Sequence, residues 1–137
     1  MANALYPLWK DALLDGVANA DLTGTGTTGV FAALIDTGTY TYSAAHDFYS
    51  DLSGVVGTDV EVTSITTTAG VVDGADITFT AVTGATVEAI VLYRKNAGAN
   101  TTWYLIAYID TGVTGLPVTP NGGNITVTWN ASGIFAL

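Results

Sequence analysis

The residues best placed to do chemistry are two copies of Asp-Thr-Gly, one in ALIDTGTY (Ala33 to Tyr40) and one in AYIDTGVT (Ala107 to Thr114). Each copy follows apolar β-formers. Two such aspartates brought face to face and sharing one proton would form an acid–base dyad able to hydrolyse a peptide. That machine needs two loops related by a pseudo-twofold axis, each backed by an apolar-apolar-Gly segment that orients its aspartate. Here the copy at Asp36 is followed by TYTYSAAHDF and the copy at Asp110 by VTGLPVTPNGG, which share no pattern. Asp and Gly are ordinary residues where a strand ends and the chain turns, and Thr is a strand former found throughout this sequence. Asp36 and Asp110 therefore read as strand ends.

The remaining candidates thin out in the same way. His46 is the only histidine and cysteine is absent, so a multi-histidine site, a zinc–thiolate site and a Cys–His pair are all excluded. A Ser-His-Asp arrangement would have to use His46 with Asp47 or Asp51, and no nucleophile-elbow motif accompanies them. A turn histidine packed beside Phe48 is the simpler expectation. Asp73 and Asp76, in VVDGADI, are carboxylates that a calcium ion could take together with loop carbonyls. A solvated hairpin tip is the competing reading. No phosphate-cradling Gly-Lys-Ser/Thr motif occurs. The expectation is a protein with no catalytic residue, no cofactor and no metal, and not an enzyme.

The elements that position these residues are mostly strands. One helix is predicted near the start, where Leu5, Trp9, Ala12 and Leu13 share a face while Lys10, Asp11 and Asp15 point away. Pro7 suits its first turn and Gly16 its stop. Residues 16–29, GVANADLTGTGTTG, read as a Gly/Thr-rich arm that lets the helix reach away from the rest, the opposing reading being that the helix plugs the open end of its own β barrel. GVFAALID reads as a buried strand, and SAAHDFYSDL as a short helical turn capped by Ser43. TDVEVTSITTTA and ADITFTAV alternate, with Asp73-Gly74 as the hairpin pair between them. TVEAIVLYRK and TWYLIAYID are apolar on both faces, so each must be covered on both sides, by a second layer or by a neighbouring subunit. GNITVTW alternates, with Ile125, Val127 and Trp129 inward. The fold class expected is mainly β, an antiparallel sandwich or barrel with one N-terminal α-helix. Residues 1–29 would form the helix and arm, and 30–137 a single β domain.

Composition limits the partners. The chain has 137 residues, 49% of them hydrophobic but only 11% charged, with 12 acidic against 3 basic side chains and a net charge of −9. Lys10, Arg94 and Lys95 are too few to neutralise phosphates, which sets aside nucleic acid and anionic membrane surfaces. No apolar run approaches the ~20 residues of a membrane span. The first twenty residues are not expected to be a secretion signal, because Lys10, Asp11 and Asp15 interrupt the apolar stretch. A surface with so few charges favours a protein partly covered by partners.

Several segments together resemble a family of small virion structural proteins of tailed bacteriophages. They are NALYPLWKDALLDG, LIDTGTYTYSAAHDFYSDL, VVDGADITF, EAIVLYRK, LIAYIDTGVTGLPVTPNGGNITVTWN and the closing GIFAL. The most specific is TGLPVTPNGG. The resemblance implies a component of the virion. A small acidic β protein with an adhesive helix suits a capsid decoration (cement) protein on the capsid surface, clamping subunits of the major capsid protein. Such proteins often work as homo-oligomers, trimers among them. The expected interface residues are Leu5, Trp9 and Leu13 on the helix and Leu116, Pro117 and Val118 in the proline loop. A tail or head-to-tail joining component remains an alternative, as does a glycan-binding adsorption module using exposed Trp and Tyr.

Overall fold

The computed structural model describes residues 3–137. Among them the order is β1 (Ala4–Leu5), α1 (Pro7–Leu14), β2 (Val30–Ile35), β3 (Val55–Glu61), β4 (Thr66–Thr68), β5 (Val71–Asp73), β6 (Ile77–Phe79), β7 (Ala89–Arg94), β8 (Tyr104–Ile109), β9 (Ile125–Val127) and β10 (Phe135–Ala136). All pairings are antiparallel. A five-stranded sheet runs β1-β8-β7-β2-β3, a three-stranded sheet β10-β5-β4, and β6 pairs with β9. The fold is mainly β and sandwich-like with one helix near the N-terminus, as the patterning predicts.

The centre of the large sheet explains its sequence. Every residue of β7 (AIVLYR) is buried, and so are the last five of β8. On one face Leu34, Ile90, Leu92 and Ile106 pack with Trp9, Phe79, Val127 and Trp129. On the other, Ile35, Val91, Tyr93 and Leu105 pack with Tyr6 and Tyr40. Tyr42, Tyr49 and Leu52, from the long connection between β2 and β3, close that second layer. Both faces are thus covered by this chain itself. Each large apolar side chain so buried contributes roughly 1.5–3 kcal/mol before conformational entropy is subtracted.

The helix begins at Pro7 and stops at Gly16, whose φ of +67° is the left-handed value that favours glycine. Its destination differs from the expected one. Trp9 is 0% exposed, its indole N–H donates to the Ala20 carbonyl at 2.8 Å, and its ring meets Phe135 edge-on at 5.7 Å. The residues before it are equally engaged: β1 pairs with β8, and the Tyr6 N–H donates to the Ile106 carbonyl at 2.9 Å. Nor is 16–29 a free arm. The buried Arg94 reaches Asp21 through Nε to its carbonyl and NH2 to Oδ1, both at 2.7 Å, and the Gly26 N–H donates to Glu61 Oε1 at 2.8 Å. Residues 3–29 are strapped into the β domain.

Two local expectations are also corrected. The hairpin joining β4 and β5 turns at Ala69-Gly70, with φ of +52° and +79°, the two-positive-φ turn that matches strand twist. Asp73 instead ends β5 and accepts the Gly74 N–H on its own Oδ1 at 2.9 Å. In 43–52 the helical turn is confined to a 3-10 turn over Tyr49–Asp51. Ser43 closes a separate turn through its Oγ and carbonyl. The carboxylate of Asp51 accepts the Asp47 and Phe48 N–H groups at 2.8 and 3.0 Å.

Candidate interaction surface

The carboxylates and the histidine that could do chemistry are occupied by the fold. Strands β2 and β8 flank β7 on opposite sides, so the backbones of Asp36 and Asp110 stand about two strand spacings apart, ~9.6 Å. Asp36 closes its own turn: Oδ1 accepts the Gly38 N–H at 2.8 Å and Oδ2 the Thr39 hydroxyl at 2.9 Å. At the end of β8 the Asp110 and Thr111 N–H groups donate to Asn3 Oδ1 at 2.8 and 3.0 Å. Asp76 Oδ1 accepts the Trp129 N–H at 3.0 Å, a tie between distant segments, and Asp73 is held as described, so both serve the backbone. Among the described residues no group of three acidic or histidine side chains is placed to hold a metal ion.

His46 packs against Tyr40, with ring centres 5.4 Å apart, while Phe48 packs on Tyr104. The expected Phe48 contact is therefore replaced. His46 Nδ1 lies 2.8 Å from the Tyr40 hydroxyl, which lies 2.9 Å from that of Tyr6. Burial pushes the Tyr6 phenol far above its ordinary pKa, so this chain of hydroxyls stays neutral and structural.

A second polar knot went unnoticed in the sequence. Asp59 on β3 accepts the hydroxyls of Tyr49 and Tyr93, each at 2.8 Å on Oδ2, and its Oδ1 is buried with no hydrogen-bond partner among the described residues. Burial raises its pKa; the two tyrosine hydrogen bonds and then Lys95 oppose that rise. Lys95 Nζ sits 4.9 Å above the Phe31 ring and 5.1 Å from that of Trp103. The knot pins the aromatic layer to the edge of the large sheet.

Of the six residues expected at an interface, Trp9 is buried in its own domain and is unavailable. Leu5, Leu116 and Val118 are half-buried and pack on the domain's core. Val118 and Val87 exchange N–H···O bonds of 2.9 Å, so the proline loop is ordered from within; Pro117, which follows a cis bond from Leu116, is exposed. Leu13, half-buried on the core like Leu5, also borders a recess formed by the largest run of apolar hollows.

That recess is the most distinctive feature of the surface. Two hollows of about 250 Å³ share Leu13 and Asp21: one is bounded by Gly16 to Ala20, the other by Leu22, Val72, Gly70 and Leu137. A third, about 370 Å³, continues past Leu22 and Thr67 to Ser64 and Ile65. Together they form a groove between the 17–25 strap and the β4–β5 hairpin. The large apolar side chains most exposed among the described residues are Leu14 (83%), Leu137 (62%) and Val17 (43%). Val17 and Leu137 line the groove, and Leu14 adjoins Leu13 on the helix. Asp21 lies on its rim and Asp15 precedes Gly16 at one end, whereas Arg94 is turned inward onto Asp21. The sequence reading reached Leu13 only; Leu22 and Leu137 lie far apart along the chain and carry no shared period.

Compared with family models and with curated proteins, the chain matches none of them.

Proposed function

We propose that this chain is a structural component of a tailed-phage virion, a capsid decoration protein that binds the shell of major capsid protein subunits and works as a homo-oligomer. The observation that carries the reading is that two of the three most exposed large apolar side chains among the described residues, Val17 and Leu137, line one groove. The sequence resemblance supplies the setting. The side chains with catalytic potential serve turns and aromatic packing, which favours a docking role over a catalytic one. Burying Leu14, Val17 and Leu137 would contribute roughly 1.5–3 kcal/mol each before association costs, and repeated contacts around a shell would multiply the effect.

The glycan-binding alternative loses support from the tryptophans. Trp9 and Trp129 are in the core, and the face of Trp103 is occupied by Lys95. The joining-component alternative is separated by copy number in purified particles on a stained gel. Hundreds of copies are expected for a decoration protein; a single ring's worth would replace this reading with the joining role.

A further inference from the structure

The groove has a second property that its apolar floor alone does not give. Strand β4 is the outer strand of the three-stranded sheet, and its three threonines are exposed. In a two-residue hairpin the flanking pair is hydrogen-bonded and the pairs then alternate. Thr68 with Val71 and Thr66 with Asp73 are thus the bonded pairs, and Thr67 turns its N–H and C=O away from β5. Thr67 also lines two of the three hollows. β4 carries no Lys, Pro or bulge; at three residues it is short, so the Thr67 N–H and C=O are a template for a brief added strand that must draw the rest of its hold from the hollow. The longer edge strand β3 is by contrast blunted by an irregularity opposite Ala33, where Gly57 takes a φ of +74°.

We infer that the β4 edge and the adjoining groove accept an extended segment of another protein, added antiparallel or parallel to β4, with alternate apolar side chains entering the Leu13/Leu22/Leu137 hollow and Lys or Arg beside Asp15. Main-chain bonds to Thr67 supply the pairing and the hollow supplies the side-chain selection. The basic character follows from charge. Asp21 on the rim is already paired with Arg94, but Asp15 is exposed at one end and the chain carries −9, so a second copy of this chain meets repulsion where a basic segment meets attraction. The inference rests on the docking role proposed above and names the kind of segment that docks.

The test uses random twelve-residue peptides selected on the immobilised full chain. Enrichment of alternating apolar residues flanked by Lys or Arg is expected. Acidic winners, winners with apolar residues at helical spacing, or no enrichment would overturn the inference. Thr67→Pro removes only the outward N–H, a position where an edge strand tolerates proline, and should weaken the winning peptide at least tenfold. Leu137→Asp should do likewise. An undiminished affinity in either variant refutes the site. Should Thr67→Pro fail to fold, amide exchange on the unmodified chain decides: the winning peptide must protect the Thr67 N–H, and protection confined elsewhere refutes strand addition. Sedimentation that shows a dimer disrupted by Leu137→Asp would assign the groove to a second copy instead. Because the probes are free peptides, a decoration role that fails by copy number leaves this outcome standing, and a failed selection leaves the copy number untouched.

Discussion

Trp9 decides whether the N-terminal segment is part of the fold or an appendage to it, and Trp9→Ala is the perturbation that reads the difference. The side chain is completely buried, meets Phe135 edge-on and donates to the Ala20 carbonyl. Emptying such a site costs about 3–5 kcal/mol. Ala20 is itself buried, so its carbonyl would lose its partner away from water, at a cost of about 1–3 kcal/mol. The two overlap, and a net loss of about 4–6 kcal/mol is expected, a large share of the ~5–15 kcal/mol that holds a domain together. For a chain of this size that corresponds to a fall in Tm of about 12–20 °C, measured by thermal and urea unfolding. Trp9→Phe keeps the ring contact and isolates the hydrogen bond, with an expected loss of about 1–3 kcal/mol. Leu14→Ala is the control: it sits on the same helix but is 83% exposed, and should change stability by less than ~0.5 kcal/mol. A chain beginning at Thr28 should fail to melt cooperatively. If Trp9→Ala matched Leu14→Ala, or the shortened chain melted at the full-length temperature, the helix would be an appendage and the packing argument would fall.

Three further outcomes are expected. Ala69→Asn should raise stability by up to about 1 kcal/mol in urea unfolding, because Ala69 holds a φ of +52° that Asn tolerates far better beside Gly70. Leu116→Ala should lower stability by about 1–3 kcal/mol, since this half-buried side chain packs on the core; unchanged melting would return the proline loop to the surface. Denaturant midpoints taken from about pH 3 to 7 should show two opposed carboxyl contributions. The Thr23 and Arg94 hydrogen bonds hold Asp21 below its ordinary pKa, so its contribution is complete above about pH 4 and is lost as pH falls through the lowered value; Asp21→Asn should remove its share of that acid limb and leave the share of Asp51, which the Phe48 and Asp47 N–H groups lower in the same way. Burial holds Asp59 above its ordinary pKa, so stability falls as pH rises from about 4 through the raised value, and Asp59→Asn should remove that decline.

What the sequence revealed follows the range over which its signals act. Strand alternation is local, so the inward sets Ile77/Phe79 and Ile125/Val127 were readable, though not their pairing, and so was the two-sided burial of β7 and β8. Helix ends are set by single residues, and Pro7 and Gly16 marked them. An amphipathic stripe shows that a face is buried but not against what, which is why Trp9 pointed outward in the reading and inward in the fold. Asp73-Gly74 is the stronger turn pair by composition, yet Ala69-Gly70 stands between two runs of three strand residues that can pair, and register overrides the local preference. Asp59 shares its carboxylate with tyrosines 10 and 34 positions away, a relation that no spacing rule exposes. The groove is assembled from Leu13, Leu22, Val72 and Leu137, each unremarkable in its own segment.

These particulars bear on where another chain could dock. A chain with 11% charged residues and strands apolar on both faces invites the idea that a neighbouring subunit covers the sheet. The structure removes that possibility for the large sheet, because α1 with β6 and β9 cover one face and the tyrosines of the β2–β3 connection cover the other. Contact with another chain is left to edges and corners. Among these the groove beside β4 combines apolar area, outward main-chain groups and an exposed aspartate, Asp15, at one end. A partner that complements all three is extended, apolar at alternate positions and basic, and this combination separates it from a second copy of a subunit carrying a charge of −9. Association through such an edge needs no rearrangement of the core, so occupying the groove should leave the burial of Trp9 and the Asp59 knot unchanged.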